Sequence, residues 1–212
     1  MHSSKVGNYP VSFYNRKEFR SVKNEIFKDL IYDVEIEPES ILDIGSHIGL
    51  SILWWVSNFP NAQIIGLEPN PDLFEYLDSN VGYLSNVHLI EKALVPSPDQ
   101  DSLYIPLDST EWSSNGSMKK KGWNGELKLK PIKVDVITVK ELVNADIDLI
   151  KLDVEGLEVD LVAQILNHSS PKYIIVESHG NDAEILRISK SKGYKIVRQI
   201  KDGALNVLHL TH

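Results

Sequence analysis

The chain contains no cysteine among its 212 residues, which excludes a disulfide framework and any Cys-ligated zinc site. It also lacks an apolar run of the roughly 18 residues that a membrane-spanning helix needs. Its opening stretch, MHSSKVGNYP, does not show the charged-then-apolar order of a secretory leader. A cytoplasmic location is the resulting expectation. Positive charge is in deficit, with 22 Lys and Arg against 30 Asp and Glu and a net charge of −8. That balance argues against a general nucleic-acid binder. No internal repeat and no break in composition marks a second domain, so residues 1–212 read as one. What is present is ordinary for a globular chain, 42% apolar and 25% charged residues, enough to close a substantial core.

Along that chain the pattern is strand, helix, strand, helix, strand. A helix over about residues 17–32 comes first, with Phe19, Val22, Ile26, Phe27 and Leu30 at helical spacing. ILDIG then reads as a buried strand, HIGLSILWWVSNFP as a helix stopped by Pro60, and QIIGLEP as a second strand. PDLFEYLDSNV reads as a helix with Pro71 in its first turn, and NVHLIEKALV as a third strand. This alternation predicts a parallel sheet with helices on its faces. Residues 96–135 interrupt it, and 108–125 read as a surface loop rich in Ser, Gly and Lys. The alternation resumes at DIDLIKLDVEG, followed by a helix, the strand KYIIVESHG, another helix, and a closing antiparallel pair around Asp202-Gly203.

The most informative turn is DIGSHIG, residues 43–49. A dinucleotide-binding turn reads G-x-G-x-x-G and brings backbone against a pyrophosphate. Here the second of those glycines is missing, and Asp43 precedes Gly45 by two residues. An acid at that point repels a pyrophosphate and suits a ligand carrying an ammonium or sulfonium group. S-adenosylmethionine carries both and has no phosphate. Glu68 ends the second strand 25 residues after Asp43, where an open α/β sheet places the carboxylate that accepts from ribose hydroxyls.

ILDIGSHIGLS, GLEPNPDLFEYLDSNV, DLIKLDVEGLEVDLV and YIIVESHG resemble, in order and spacing, the successive motifs of the FkbM family of S-adenosylmethionine-dependent methyltransferases. The resemblance runs from about residue 40 to 180, with KLDVEG its most telling part. His47 departs from it, standing where the family usually has asparagine. The resemblance implies a class I methyltransferase fold: Rossmann-like, doubly wound, with a mostly parallel seven-stranded sheet, one antiparallel strand and helices on both faces. In that topology the first and fourth strands flank the point where winding reverses. Asp43–Gly45 would then face Asp153–Gly156 across a crevice, with Glu177 and His179 beside them.

The expected cofactor contacts are Asp43, Gly45, Ser46, His47, Gly49, Glu68 and Asp153, and the expected catalytic residues are Asp153, Glu177 and His179. A carboxylate held against the sulfonium would stabilise the ground state more than the transition state. The acids are better placed on the cofactor's amino group, its ribose, or the acceptor's proton. His179, with an ordinary pKa near 6.5, suits removal of a hydroxyl proton. The family's usual chemistry, O-methylation of sugars and similar metabolites, agrees. A divalent metal held by Asp153 with Glu177 or His179 is a competing use of the same cluster. Two rival functions share the sheet: an NAD-dependent oxidoreductase, and a non-catalytic domain that binds S-adenosylmethionine. Residues 108–125, with Trp112, Trp123 and the run Lys119–Lys121, form a candidate lid over the crevice that would select a small anionic acceptor, such as a phosphorylated sugar. The sequence assigns no oligomeric state.

Overall fold

The computed structural model describes residues 2–108, 111–112, 116–120, 128–143, 147–203 and 205–212. Strands β1 (His2–Val6) and β2 (Tyr9–Phe13) pair antiparallel around Gly7, whose φ is +56°. This hairpin has no counterpart in the sequence reading, because only Val6, Val11 and Phe13 of it are buried. Helix α1 (Arg16–Phe27) starts at Asn15, whose side chain accepts from the Lys17 and Glu18 amides. It ends earlier than the apolar spacing suggests. Leu30 adopts φ +57°, and the turn this makes sends Ile31 and Tyr32 into the core, 2% and 3% exposed.

Strand β3 (Ser40–Ile44), helix α2 (Leu50–Asn58), strand β4 (Gln63–Leu67), helix α3 (Pro71–Val81) and strand β5 (Val87–Ile90) follow the predicted alternation. The expected third strand is in fact two. β6 (Ala93–Val95) leaves the main sheet after Lys92 and pairs in parallel with β9 (Val136–Thr138). Between them β7 (Ser102–Pro106) and β8 (Leu129–Lys133) pair antiparallel. After the short helix α4 (Val139–Leu142) come β10 (Leu149–Leu152), α5 (Glu158–His168), β11 (Tyr173–Glu177) and α6 (Asp182–Ser191). β12 (Lys195–Asp202) and β13 (Leu205–Thr211) close the chain.

The main sheet has seven strands in the order β12-β13-β11-β10-β3-β4-β5. β13 alone runs against its neighbours, antiparallel to both β11 and β12. Side chains alternate between faces along each strand, and the burial follows. Ile41, Leu149, Tyr173, Ile175 and Val207 join one core with residues of α1, α2 and α3, whereas Leu42, Ile44, Ile150, Ile174 and Leu208 join a second core with α5 and α6. Alternation also decides where the polar strand residues go. Lys151 lies opposite Asp43 in the β10–β3 register, so both project into the first face, next to α2.

Candidate active site

The chain reverses its winding between β3 and β10, and the turns leaving those strands are in direct contact. Asp153 extends the ladder by donating its amide to the Ile44 carbonyl at 3.0 Å. Gly45, at φ +80°, approaches so closely that a Cβ there would lie 2.0 Å from the Asp153 carbonyl oxygen. The amides of Gly45 and Ser46 both donate to Leu67 O, at 3.0 and 2.8 Å, which ties the turn to β4 as well. Gly49 serves a different purpose: a Cβ there would press on Leu77 and Val81 of α3 at 3.1–3.2 Å. It permits helix packing and lies away from the cleft.

A cleft opens above these turns, enclosing about 720 Å³ of empty space including its mouth. Gly45, His47, Glu68, Asn70, Lys92, Asp153 and Glu155 belong to its polar lining, and Leu73, Leu94, Leu103 and Met118 to its apolar wall. Of the expected cofactor contacts, Gly45, His47, Glu68 and Asp153 therefore meet around one space. Asp43, Ser46 and Gly49 stand behind it. Asp43 is fully buried, accepting from Trp55 Nε1 at 2.6 Å and Ser46 Oγ at 3.2 Å. Its charge is met by Lys151, Nζ to Oδ1 3.6 Å. The acid read as facing a ligand thus braces the turn from beneath.

Lys151 is the residue the sequence reading passed over. It is 1% exposed, donates to Gly45 O at 2.6 Å and to Asp153 Oδ2 at 3.2 Å, and sits 5.6 Å from the centre of the Tyr32 ring. Burial alone would lower its pKa, but Asp153, Asp43 and Glu177 outweigh that and raise it. A lysine in the middle of the otherwise apolar LIKL was the available signal, since buried lysines are almost always paired.

Glu68 reaches the cleft as a preorganised acceptor. Its two carboxylate oxygens take the amides of His47 at 2.9 Å and Asn70 at 3.0 Å; burial nonetheless raises its pKa. His47 occupies left-handed backbone, φ +51°, a conformation that asparagine tolerates better than most residues. Its imidazole points back to α1, Nε2 3.3 Å from the buried Glu18 carboxylate. Burial would lower the His47 pKa, but the Glu18 contact and charge raise it overall. The ion pair is therefore complete below the ordinary value of 6.5 and fades as pH rises through the elevated one. Wild-type protein should lose more urea resistance between about pH 6 and 8 than His47→Asn does. Equal losses would show that His47 does not titrate in that interval.

The remaining expected residues, Glu177 and His179, are held by other side chains and do not line the cleft. Glu177 accepts from the Tyr32 hydroxyl, and burial together with Asp153 shifts its pKa upward. His179 is gripped by two carboxylates, Nδ1 to Glu158 Oε1 2.5 Å and Nε2 to Glu155 Oε1 3.3 Å. Burial opposes its charge, but the two acids win and push its pKa up to about 9. Both ring nitrogens of His179, expected to act as a base, thus face carboxylates, and His179 does not line the cleft. Glu155, a cleft residue not among the expected catalytic ones, has an oxygen, Oε2, that is buried and without a hydrogen-bond partner among the described residues, as is Glu158 Oε2. Among the described residues no group of three or more His, Asp or Glu side chains is arranged to hold a metal ion.

The candidate lid lies partly outside the described residues, including Lys121 and Trp123. The described part bears on the cleft: Gly116 and Met118 line it, and Ser117 bridges both Tyr104 and Glu155. A second hollow adjoins the first at Asn70 and Leu73, and Tyr14, Tyr76, Asp72, Glu75, Glu111 and Lys130 are among its walls. Among the described residues no helix is long and apolar enough to cross a membrane.

Comparison with known proteins accords with this geometry. A family model described as the methyltransferase FkbM domain matches residues 43–196. Methyltransferase sdnD of Sordaria araneosa is 25% identical over 227 residues, covering 89% of this chain and 87% of that protein. The crystal structure of methyltransferase FkbM from Methylobacillus flagellatus superposes with a TM-score of 0.55 at 13% identity, covering 89% of this chain and 47% of that one. That of M. jannaschii TYW2 in complex with AdoMet gives 0.53 at 11% identity, covering 99% and 84%. With three strand-end turns meeting at one cleft and the family's domain spanning them, the chain belongs to the FkbM methyltransferases, enzymes that use S-adenosylmethionine.

Proposed function

We propose that this cleft binds S-adenosylmethionine between Glu68 and Asp153, and that the methyl group goes to a hydroxyl of a small metabolite, sugar or glycan precursor. The observation that carries this reading is the sign of the site. Asp43, Asp153, Glu155, Glu158 and Glu177 cluster around two cations, Lys151 and His179. Burial raises the pKa of Glu155 to about 9 and of Glu177 to about 7, and a cation arriving among these acids lowers both, so the cluster favours a positively charged ligand. When bound, the cofactor supplies an electrophilic methyl group on a cationic sulfur. Glu68, fixed by two amides, would accept from the ribose hydroxyls, and the wall of Leu94, Leu103 and Met118 suits a flat purine. Asp153 would receive the cofactor's ammonium group. A nicotinamide dinucleotide would instead set its pyrophosphate among Glu68, Asp153 and Glu155, which disfavours the oxidoreductase.

The same reasoning weakens the anionic acceptor. Lys119 and Lys133 already face Asp160 and Asp101, at 4.0 and 3.2 Å, and the charged residues of the adjoining hollow are Asp72, Glu75, Asp108 and Glu111 against Lys130. A neutral polyhydroxyl acceptor fits this lining better.

Titration calorimetry tests the assignment. S-adenosylmethionine should bind and NAD should not. Glu68→Ala removes charge-assisted hydrogen bonds worth about 1.5–3 kcal/mol, so affinity should fall by about 10- to 100-fold. Unchanged affinity in that variant would remove Glu68 from the site, and tight NAD binding would reverse the choice of cofactor.

A further inference from the structure

We propose that the His47 imidazole receives the carboxylate of the cofactor's methionine moiety, and that Glu18 of α1 is the positioning residue that holds the ring for it. This inference rests on the methyltransferase reading and adds to it how the anionic group of S-adenosylmethionine is met.

The need for such a residue follows from the ligand's charges. Besides its sulfonium and ammonium groups the cofactor carries a carboxylate, on the same carbon as the ammonium. Glu68, Asp153 and Glu155 line the cleft, and an anion brought among them is repelled unless a cation meets it. Lys151 and His179 are engaged by acids and do not line the cleft. Among the described residues the basic side chains that do line it are His47 and Lys92.

Position separates these two. Lys92 follows β5, and the sheet order β10-β3-β4-β5 puts that strand three places from β10. At the usual spacing between strands, β5 stands roughly 14 Å from β10. His47 belongs to the turn leaving β3, the direct neighbour of β10, and lies near enough to Asp153 for that acid to raise its pKa. With the ammonium group on Asp153, a carboxylate on the same carbon therefore falls to His47.

The surroundings prepare the ring for that contact. Nε2 lies 3.3 Å from Glu18 Oε1, and the His47 side chain is 17% exposed against 1% for Glu18. The acid is thus sealed behind a ring that lines the cleft. Glu18 in turn accepts from the Tyr14 hydroxyl, and the His47 amide is fixed on Glu68 at 2.9 Å. The charged groups around the ring are Glu18 on α1, Glu68 at the end of β4 and Asp153 at the end of β10. Burial opposes the ring's charge, and these three outweigh it, Glu18 most of all. Glu18 lies outside residues 43–196, the span that the family's domain matches, so this support comes from the N-terminal helix.

The test is calorimetry on the whole chain with S-adenosylmethionine and its decarboxylated analogue, which keeps the sulfonium and the amine and lacks the carboxylate. His47→Asn is the first variant, because asparagine tolerates the left-handed backbone at φ +51°. It exchanges a charge-assisted hydrogen bond for a neutral one, so at mildly acidic pH S-adenosylmethionine should bind about 5- to 15-fold more weakly. Affinity for the decarboxylated analogue should stay within about twofold. Equal losses for the two ligands, or no loss for S-adenosylmethionine, would overturn the proposal. The ratio of wild-type to variant affinity, in which the cofactor's own amine cancels, should shrink as pH rises through the raised His47 pKa. Glu18→Gln keeps the shape, removes the charge, and should move that decline to lower pH. Weakening of both ligands alike with the decline unmoved would reduce Glu18 to a structural role and overturn its part. Lys92→Met should affect the two ligands equally; a loss confined to S-adenosylmethionine there would give the carboxylate to Lys92 instead. A measurement on the wild type needs no variant to fold. With ¹⁵N-labelled histidine, one imidazole should titrate higher when S-adenosylhomocysteine is bound than when 5′-methylthioadenosine, which lacks the amino-acid moiety, is bound. No difference at any histidine would refute the contact. If the wild type binds neither S-adenosylmethionine nor its decarboxylated analogue, the cofactor assignment itself fails, an outcome distinct from every variant result above.

Discussion

Replacing Lys151 by methionine is expected to be among the most damaging single changes in this protein, at about 3–5 kcal/mol, the cost of leaving a buried charge without its partner. The lysine is enclosed by Asp43, Asp153, the Gly45 carbonyl and the Tyr32 ring. Methionine fills much of the volume but answers none of these groups. For a chain of this length each kcal/mol moves the melting temperature by about 2–4 °C, so a fall of about 6–20 °C is expected. The lysine pKa is raised on folding, so its contribution is fully present below the ordinary value of about 10.4 and is lost only above the raised one. The deficit should therefore be constant across neutral pH. Adding Asp43→Asn to Lys151→Met removes one of the stranded charges and should recover part of the loss. A melting temperature within 2 °C of wild type for the single variant would show that the buried network contributes nothing to stability.

Gly45→Ala should lose both stability and cofactor affinity. Two costs combine at this position. A side chain in left-handed backbone costs about 1–2 kcal/mol, and overpacking a closed site adds about 1–3 kcal/mol. The clash falls on the backbone oxygen of Asp153, 2.0 Å from the added carbon. That oxygen cannot step aside without moving Asp153 off the Ile44 carbonyl and separating the ends of β3 and β10. Because Gly45 and Asp153 both line the cleft, affinity for S-adenosylmethionine should drop by more than about 10-fold. Gly180→Ala is the control. Gly180 has nearly the same φ, +84°, but among the described residues nothing lies within 4 Å of an added Cβ. The two variants share the backbone cost, and the difference between them measures the close approach. Equal destabilisation would mean that strand-end contact is not what requires glycine at 45.

Much of this organisation was legible in the sequence, and the legible part has one physical origin. Periods of two and near 3.6 in apolar residues are imposed by the local geometry of strands and helices. They fixed the order of elements from β3 to α3 and from β10 to β13. The DIGSHIG turn, the Glu68 position and KLDVEG added the family, because residue type at a turn reports what backbone or ligand must fit there. The interrupted region was harder. β6 continues the apolar pattern of β5, and only its pairing with β9 shows that it has left the sheet. The β1–β2 hairpin offered too few buried residues to set up a pattern.

The site itself divides along the same line. Which acids gather at the strand ends followed from the order of the elements, and Asp153 and Glu68 could be placed there without coordinates. What each acid does could not. Lys151 meets Asp43 because their strands pair in one register, and a shift of a single residue would have turned them to opposite faces. His179 lies between two acids because α5 brings Glu158, and the loop before it Glu155, to either side of one ring. His47, read as a departure beside the cofactor, is matched by Glu18 from a helix 29 residues earlier in the chain. Sequence determined the fold, the turn and the class of ligand, since these depend on local pattern and residue chemistry. Tertiary structure alone decided which charged groups meet, since the few neighbours within several ångströms that shift a buried group's pKa come from distant parts of the chain.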